Sequence, residues 1–266
     1  MNSQIITSFS NERVKLVQKL RNKKDREKEG LFVIEGYREL QRALLSNRIR
    51  FHSLFFSPDC FLGENEFSLI SKFQCKLFQL PQKVFEKISY RDRPDGLLAL
   101  AYTPDFTITE DTIIPEGDLF LIIEGVEKPG NLGTILRTSE GAGVNAVFVS
   151  DSRLDIFNPN VVRASTGTLF TIPIFIGSIL EILEKLNNLR IPVFALSPEA
   201  KDSYFKENFK TKTAFIFGSE QYGLSREAKL NSQKLISIPM KGEADSLNLA
   251  MSCGILLYEV LRQRSI

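Results

Sequence analysis

"LFLIIEGVEKPGNLGTILRTSEGAG", residues 119–143, decides the fold. Five apolar residues in a row (119–123) make a short buried strand that runs into a loop containing Gly125, Pro129 and Gly130. "LGTILRTSEGAG" (132–143) then takes up helical spacing, and Gly141 and Gly143 are placed to terminate the helix. "AVFVS" (146–150) follows as the next strand. A strand, a loop, a helix and a second strand within about thirty residues is the signature of a βαβ unit, whose strands lie parallel.

The alternation continues to the end of the chain. Strands are expected at "FTIPIFIG" (170–177), "IPVFALS" (191–197), "TAFIFGSE" (213–220) and "KLISIPM" (234–240). "SILEILEKLNNL" (178–189) reads as an amphipathic helix, and "LNLAMSCGILLYEVLRQR" (247–264) as a closing one. This is an α/β domain of about five or six strands, and such sheets bind ligands in the loops beyond the carboxyl ends of their strands. Three loops fit that position and mix glycine with a few polar residues: "EGVEKPGNLGTILRT" (124–138), "FGSEQYGLS" (217–225) and "IPMKGEADSLNLA" (238–250). One such loop is usually a turn; three on one domain can converge on a single site.

Toward the amino terminus, strands at 31–36, 52–57, 76–81 and 95–102 alternate with helical periods at 11–22 and 37–45, a second α/β unit with a parallel or mixed sheet. Residues 103–117, "TPDFTITEDTIIPEG", have prolines near both ends and no basic residue, and read as a connector. The expected domains are therefore 1–105 and 118–266, joined by a linker at 106–117. "RVKLVQKLRNKKDREK" (13–28) sets eight Lys or Arg against two acidic residues. It is either a phosphate-binding surface or a solvated helix face.

Composition excludes several classes. The chain has 266 residues, net charge +2, and 43% hydrophobic and 25% charged residues, ordinary for a soluble globular protein. No apolar run approaches a membrane span, and the first residues lack a secretory pattern. The three cysteines, Cys60, Cys75 and Cys253, have no CxxC spacing, so neither a disulfide framework nor a metal site is expected and a cytoplasmic setting is the default. The single histidine, His52, leaves no familiar hydrolase triad. "GAGVNA" (141–146) matches the letters of a dinucleotide fingerprint. It follows a helix and precedes a strand, the reverse of the required context.

The three loops also carry a resemblance. "NLGTILRTSEGAG" is similar to the first signature of the SpoU/TrmH family of RNA 2′-O-ribose methyltransferases (SPOUT superfamily), "GSEQYGLS" to its second and "IPMKGEADSLNLA" to its third. The three in order, over residues 119–264, are highly specific. "NERVKLVQKLRNKKDREKEGLFVIEG" and "DGLLALA" more loosely resemble the family's smaller N-terminal substrate-binding domain, a ribosomal-protein-like α/β fold.

The resemblance implies a C-terminal α/β-knot domain: a mostly parallel sheet with helices on both faces, closed by a deep trefoil knot. It also implies a homodimer with its sites near the interface. Carried over residue by residue, S-adenosyl-L-methionine lies against Leu196, Gly218, Ile238, Met240, Ser246, Leu247 and Asn248. Asn131, Arg137, Glu220, Ser246 and Asn248 match the positions around the reacting ribose. Arg163 and Ser165, in "VVRASTGTLFTIP", are expected to touch RNA, as are Arg13, Lys15, Lys19, Arg21, Lys23 and Lys24 of the basic segment. An arginine is effectively never deprotonated, so Arg137 is expected to clamp a phosphate while Glu220 or water takes the hydroxyl proton. Ribosomal RNA is the favoured substrate. A tRNA 2′-O-methyltransferase and a non-catalytic RNA-binding relative are the alternatives; the latter is expected to lack Arg137, Glu220 or Asn248, and all three are present. After "SLN", Leu249 to Cys253 depart from the family's usual residues as packing substitutions.

Overall fold

The structure is a computed structural model that describes residues 3–151 and 154–265. Its chain forms two compact units, one from residues up to 105 together with 155–171, the other from 106–154 together with the residues from 172 onward.

The first unit is built on a five-stranded mixed sheet in the order β1-β4-β3-β5-β2: β1 (Gln4–Ile5), β2 (Leu31–Glu35), β3 (Phe51–Phe56), β4 (Lys76–Gln79) and β5 (Leu97–Tyr102). β4 runs parallel to β1 and β3, whereas β5 is antiparallel to both β2 and β3. Helix α1 (Glu12–Lys19), capped by the Asn11 side chain, buries Val14 and Val17 in a core with Phe55, Phe78, Leu98 and Leu100. Its basic residues are exposed, with Arg13 lying over the Phe78 ring at 4.8 Å. A separate helix, α2 (Lys23–Glu29), continues the basic segment, and α3 (Tyr37–Leu45) follows β2.

The second unit holds a six-stranded sheet in the order β11-β9-β10-β6-β7-β8, with every neighbouring pair parallel: β6 (Leu119–Glu124), β7 (Ala146–Ser150), β8 (Ile174–Gly177), β9 (Val193–Leu196), β10 (Thr213–Phe217) and β11 (Lys234–Ile236). β6, β7 and β10 are buried along their whole length. Near-continuous apolar strands of this kind belong to a sheet covered on both faces. Helix α9 (Ile179–Asn188) begins with a capping box between Ser178 and Glu181 and lays Ile179, Ile182, Leu183 and Leu186 on Phe120, Ile122 and Phe148. Helix α6 (Pro129–Gly141) packs with the last helix, α11 (Leu249–Arg264), where Gly254 lies 3.7 Å, at its Cβ position, from the Thr138 methyl. Gly143, at φ +71°, turns the chain out of α6 and toward β7.

Three boundaries differ from the sequence expectation. Residues 106–117 are not a free linker. Thr107 forms a parallel bridge with Ile176, the Ile108 amide donates to the Ile176 carbonyl at 2.7 Å, and Ile108 and Ile114 are buried in the second unit's core. Ile108 and Ile114, set in a polar stretch, dock it, while Ile113 stays exposed. Residues 155–171 belong to the first unit, because Asp155 meets the buried Arg26 at 2.5 Å and Phe157 and Phe170 pack on Phe32. Within "FTIPIFIG", the first two residues close helix α8 (Thr168–Thr171) and only 174–177 form a strand. The intervening Pro173 separates the two, and an apolar run alone does not distinguish helix from strand.

Candidate active site

Since the second sheet is wholly parallel, the carboxyl ends of its strands share one edge. Strand order reverses at β6, with β7 and β8 on one side and β10 and β9 on the other, which creates the crevice where such sheets bind ligands. A cavity of about 440 Å³ opens there, within the roughly 300–1,000 Å³ range of small-molecule sites. Its walls are the residues that follow β9, β10 and β11, with the amino-terminal end of α11.

All seven positions expected to face a cofactor line this one cavity: Leu196, Gly218, Ile238, Met240, Ser246, Leu247 and Asn248. Glu220 lines it as well. The structure adds Lys128, Ser197, Asp245 and Ser252, which the sequence reading did not single out. Ser252 lies four residues after Asn248, one helical turn along α11, and that spacing was available as a signal. Lys128 stands immediately before Pro129 in a loop already under suspicion.

Gly218 has a structural reason of its own. A Cβ there would sit 2.2 Å from the Gly223 carbonyl carbon and 2.4 Å from the Leu224 nitrogen. Residues 219–223 fold back in a tight turn, with the amides of Ser219 and Gly223 donating to each other's carbonyls at 2.9 and 3.0 Å. The glycine is needed for the approach of this turn, which presents Glu220. Gly242, by contrast, has open space around it.

Side chains from three elements are tied into one polar relay. Asn248 is the N-cap of α11, its oxygen accepting from the amides of Ala250 (3.0 Å) and Met251 (3.4 Å). The cap fixes the amide so that its nitrogen donates to Asn131 Oδ1 at 3.2 Å. Asn131 Nδ2 in turn donates to Glu220 Oε1. Lys128 Nζ pairs with Glu220 Oε2 at 2.6 Å. Glu220, by hydrogen bond and then by charge, holds the Lys128 ammonium above its usual pKa. A carboxylate fixed from both sides still has lone pairs left to accept a proton.

Arg137 does not join this group. It is exposed on α6, outside the cavity walls, and has no hydrogen-bond or ionic partner among the described residues. Six residues separate it from Asn131, which at 3.6 residues per turn places it roughly 120° around the helix.

In the first unit, Arg13, Lys15 and Lys19 on α1, and Arg21, Lys23 and Lys24 beyond it, are exposed. Arg21 is partly anchored, donating to the Ser89 carbonyl at 2.9 Å and lying over the Tyr90 ring. Arg163 is exposed on α7 (Pro159–Ser165). Ser165 is a correction: it is fully buried, and its hydroxyl donates to the Val162 carbonyl at 2.8 Å and accepts from the Gly167 amide. Its side chain holds the end of α7 and meets no surface.

The SpoU rRNA Methylase family matches residues 118–258, which carry the whole relay and cavity. The chain belongs to that family. The MRM3-like substrate binding domain matches residues 11–99. Among SpoU relatives, an uncharacterized tRNA/rRNA methyltransferase of Synechocystis sp. is 30% identical over 97% of this chain and 94% of its own length. A 23S rRNA (guanosine(2553)-2′-O)-methyltransferase of Bacillus subtilis is 28% identical over 96% of this chain and 98% of its own. The AdoMet-bound rRNA methyltransferase structure from Sinorhizobium meliloti superposes with a TM-score of 0.84 at 28% identity, covering 98% of each chain.

Among the described residues, no group of three or more His, Cys, Asp or Glu is placed to hold a metal, and no helix is long and apolar enough to cross a membrane.

Proposed function

We propose that this chain methylates a ribose 2′-hydroxyl of structured RNA, with ribosomal RNA as substrate and S-adenosyl-L-methionine as methyl donor. The observation that carries the reading is the cavity at the strand ends with the Lys128–Glu220–Asn131–Asn248 relay on its border. The walls fit the donor. Leu196, Ile238, Met240 and Leu247 offer apolar surface for a flat base, and the backbone beyond β9 and β10 offers donors and acceptors for its edge. Asp245 and Lys128 supply one charge of each sign for a zwitterionic amino-acid end. S-adenosylmethionine, when bound, supplies a methyl group activated by a sulfonium.

The chain's own part is alignment and proton removal. Holding two reactants in near-attack geometry can contribute about 7–11 kcal/mol. Glu220, paired with Lys128 and oriented by Asn131, is the base that takes the hydroxyl proton, and Ser246 and Asn248 border the same space. Arg137 stays charged and clamps the adjacent RNA phosphate.

That role needs a second subunit. Arg137 is turned away from its own chain's cavity, on a helix that packs beside α11, whose Met251 and Tyr258 are 62% and 55% exposed. A homodimer built on this face covers those side chains and brings Arg137 toward a cavity. We also read the carboxyl-terminal segment as threaded through a trefoil knot. β11 sits at the sheet's edge, yet α11 packs on α6, so residues 237–248 cross the carboxyl ends of β9 and β10. The free thiols of Cys60, Cys75 and Cys253 suit the cytoplasm.

The test is transfer of labelled methyl groups to ribosomal RNA, followed by alkaline hydrolysis. A methylated 2′-hydroxyl cannot attack its own phosphodiester, so label in alkali-resistant dinucleotides is the expected result. Label in mononucleotides, marking base methylation, or no transfer at all, would contradict the reading.

A further inference from the structure

The turn that presents Glu220 carries a second side chain that the methyl-transfer chemistry leaves unused. Tyr222 is 78% exposed, the most exposed aromatic ring among the described residues. Ser219, Glu220 and Gly223 line the cavity, and Tyr222 between them does not. It stands outside the walls that fit S-adenosylmethionine, on the same turn as the proton acceptor.

A single exposed apolar side chain is ordinary on a protein surface. Three features set Tyr222 apart. First, its backbone is held. Its amide donates to Ser219 Oγ at 3.0 Å, the paired Ser219 and Gly223 close the turn around it, and Gly223 takes φ +66°. Just beyond, the Ser225 amide donates to Glu124 Oε2 at 2.9 Å, which ties the loop to the buried end of β6. Second, its ring is uncommitted. The exposed Phe205 lies against Tyr204, and the exposed Phe67 against Phe56 and Phe61. The Tyr222 side chain has no ring, cation or hydrogen-bond partner among the described residues. Third, it is close to the reacting group. Consecutive Cα atoms are about 3.8 Å apart, so those of Glu220 and Tyr222 lie within about 7.6 Å of each other. In a ribonucleotide the nucleobase and the 2′-hydroxyl sit on adjacent carbons of one ribose. A hydroxyl delivered to Glu220 therefore brings its own nucleobase within reach of the Tyr222 ring.

We propose that Tyr222 stacks on the nucleobase of the nucleotide being methylated and holds it splayed out while its 2′-hydroxyl meets Glu220. The proposal rests on the reading of the chain as an RNA 2′-O-methyltransferase. It names the feature of the RNA that the site accepts, an unpaired nucleotide. Loops and bulges present nucleobases that can be splayed onto aromatic side chains, whereas those of an A-form duplex stay stacked on their neighbours. Tyrosine suits the task, because ordering its ring fixes only two side-chain torsions. Every nucleobase has a π-face, so the stack tolerates different bases and sets position more than identity. Position is what a near-attack geometry needs.

The experiment uses the full chain and ribosomal RNA. The chain has no tryptophan, so Tyr222→Trp puts a single indole on the turn, where a stacked nucleobase quenches its emission. Ribosomal RNA, added with S-adenosylhomocysteine to prevent turnover, should quench it. Leu189→Trp, between α9 and β9 at the opposite edge of the sheet, should not respond. In methyl transfer, Tyr222→Ala should lose roughly 5- to 150-fold in kcat/KM for the RNA, the span of one base–aromatic stack. Its S-adenosylmethionine affinity by calorimetry and its melting temperature should match wild type. Tyr222→Phe should restore kcat/KM, because the ring and not the hydroxyl makes the stack. Wild-type kcat/KM in Tyr222→Ala, failure of Tyr222→Phe to restore it, or an indole at 222 that the RNA leaves unquenched overturns the stack and leaves RNA methylation standing. A wild type that transfers no methyl group to ribosomal RNA overturns both.

Discussion

The cavity of the second unit and the basic helix α1 of the first spend their polar groups in opposite ways. At the cavity, Lys128, Glu220, Asn131 and Asn248 are bonded to one another before any ligand arrives. On α1, Arg13, Lys15 and Lys19 are exposed and form no ion pair among the described residues. Groups held by their neighbours are preorganised, which suits a reaction whose geometry decides its rate. Groups left free keep their charge for a partner, which suits recognition of a phosphate backbone.

The largest effect should come from the relay's carboxylate. Glu220→Gln keeps the hydrogen-bonding shape but removes the charge and the basic lone pairs. Turnover should fall by about 10²–10⁴ with S-adenosylmethionine affinity little changed, as read by single-turnover kinetics beside calorimetry. Near-normal turnover would make the relay a purely structural device and erase the contrast with α1.

Gly218→Ala asks whether the cavity is as rigid as the relay requires. Its new Cβ would meet the backbone of Gly223 and Leu224, and overpacking of that kind costs about 1–3 kcal/mol. Urea unfolding should show the loss, and cofactor affinity should fall with it because the turn carrying Glu220 must move.

Asn248 separates stability from function. Asn248→Ala removes the cap of α11 and should cost roughly 1 kcal/mol. Asn248→Asp retains the cap oxygen but turns an acceptor toward Asn131 Oδ1, so it should keep stability and lose activity. Equal activity in wild type and Asn248→Asp would show that the relay need not be continuous.

The smallest effect is a drift with pH in the first unit. Glu35 is buried; desolvation raises its pKa above the ordinary 4.5 and outweighs the hydrogen bonds from Ser89 and Tyr90 and the charge of Arg91. A raised folded-state pKa means the native form keeps its proton to higher pH than the unfolded chain. Stability relative to Glu35→Gln should therefore be greatest below 4.5 and decline as pH rises through the folded value. Denaturant titrations across that range read the sign directly.

Much of this was legible in the sequence because local signals and long-range structure agreed. Three glycine-containing loops after apolar strands were expected to converge, and the parallel sheet brings their residues to one edge. The spacing of 37–45 is α3 itself. What stayed hidden depended on partners far along the chain. Arg26 read as one more cation of a basic run, but Asp155, 129 residues away, takes it into the interior. Residues 106–117 read as a linker because their few apolar residues carry no periodicity, although Ile108 and Ile114 are buried. Ser165 read as a surface hydroxyl, and its hydrogen bonds turn it inward. Arg137 was legible by type but not by direction, since membership of a motif says nothing of which side of a helix faces the cavity.

The most direct measurement is calorimetric titration of the full chain with S-adenosylmethionine, run beside Ser252→Phe. Ser252 lies on the cavity wall one turn beyond the Asn248 cap, so a phenyl ring there fills the space without touching the relay. One molecule bound per chain in the wild type, and none in a variant of unchanged melting temperature, is the expected result. Equal binding in both, or no heat in the wild type, would contradict the assignment of this cavity.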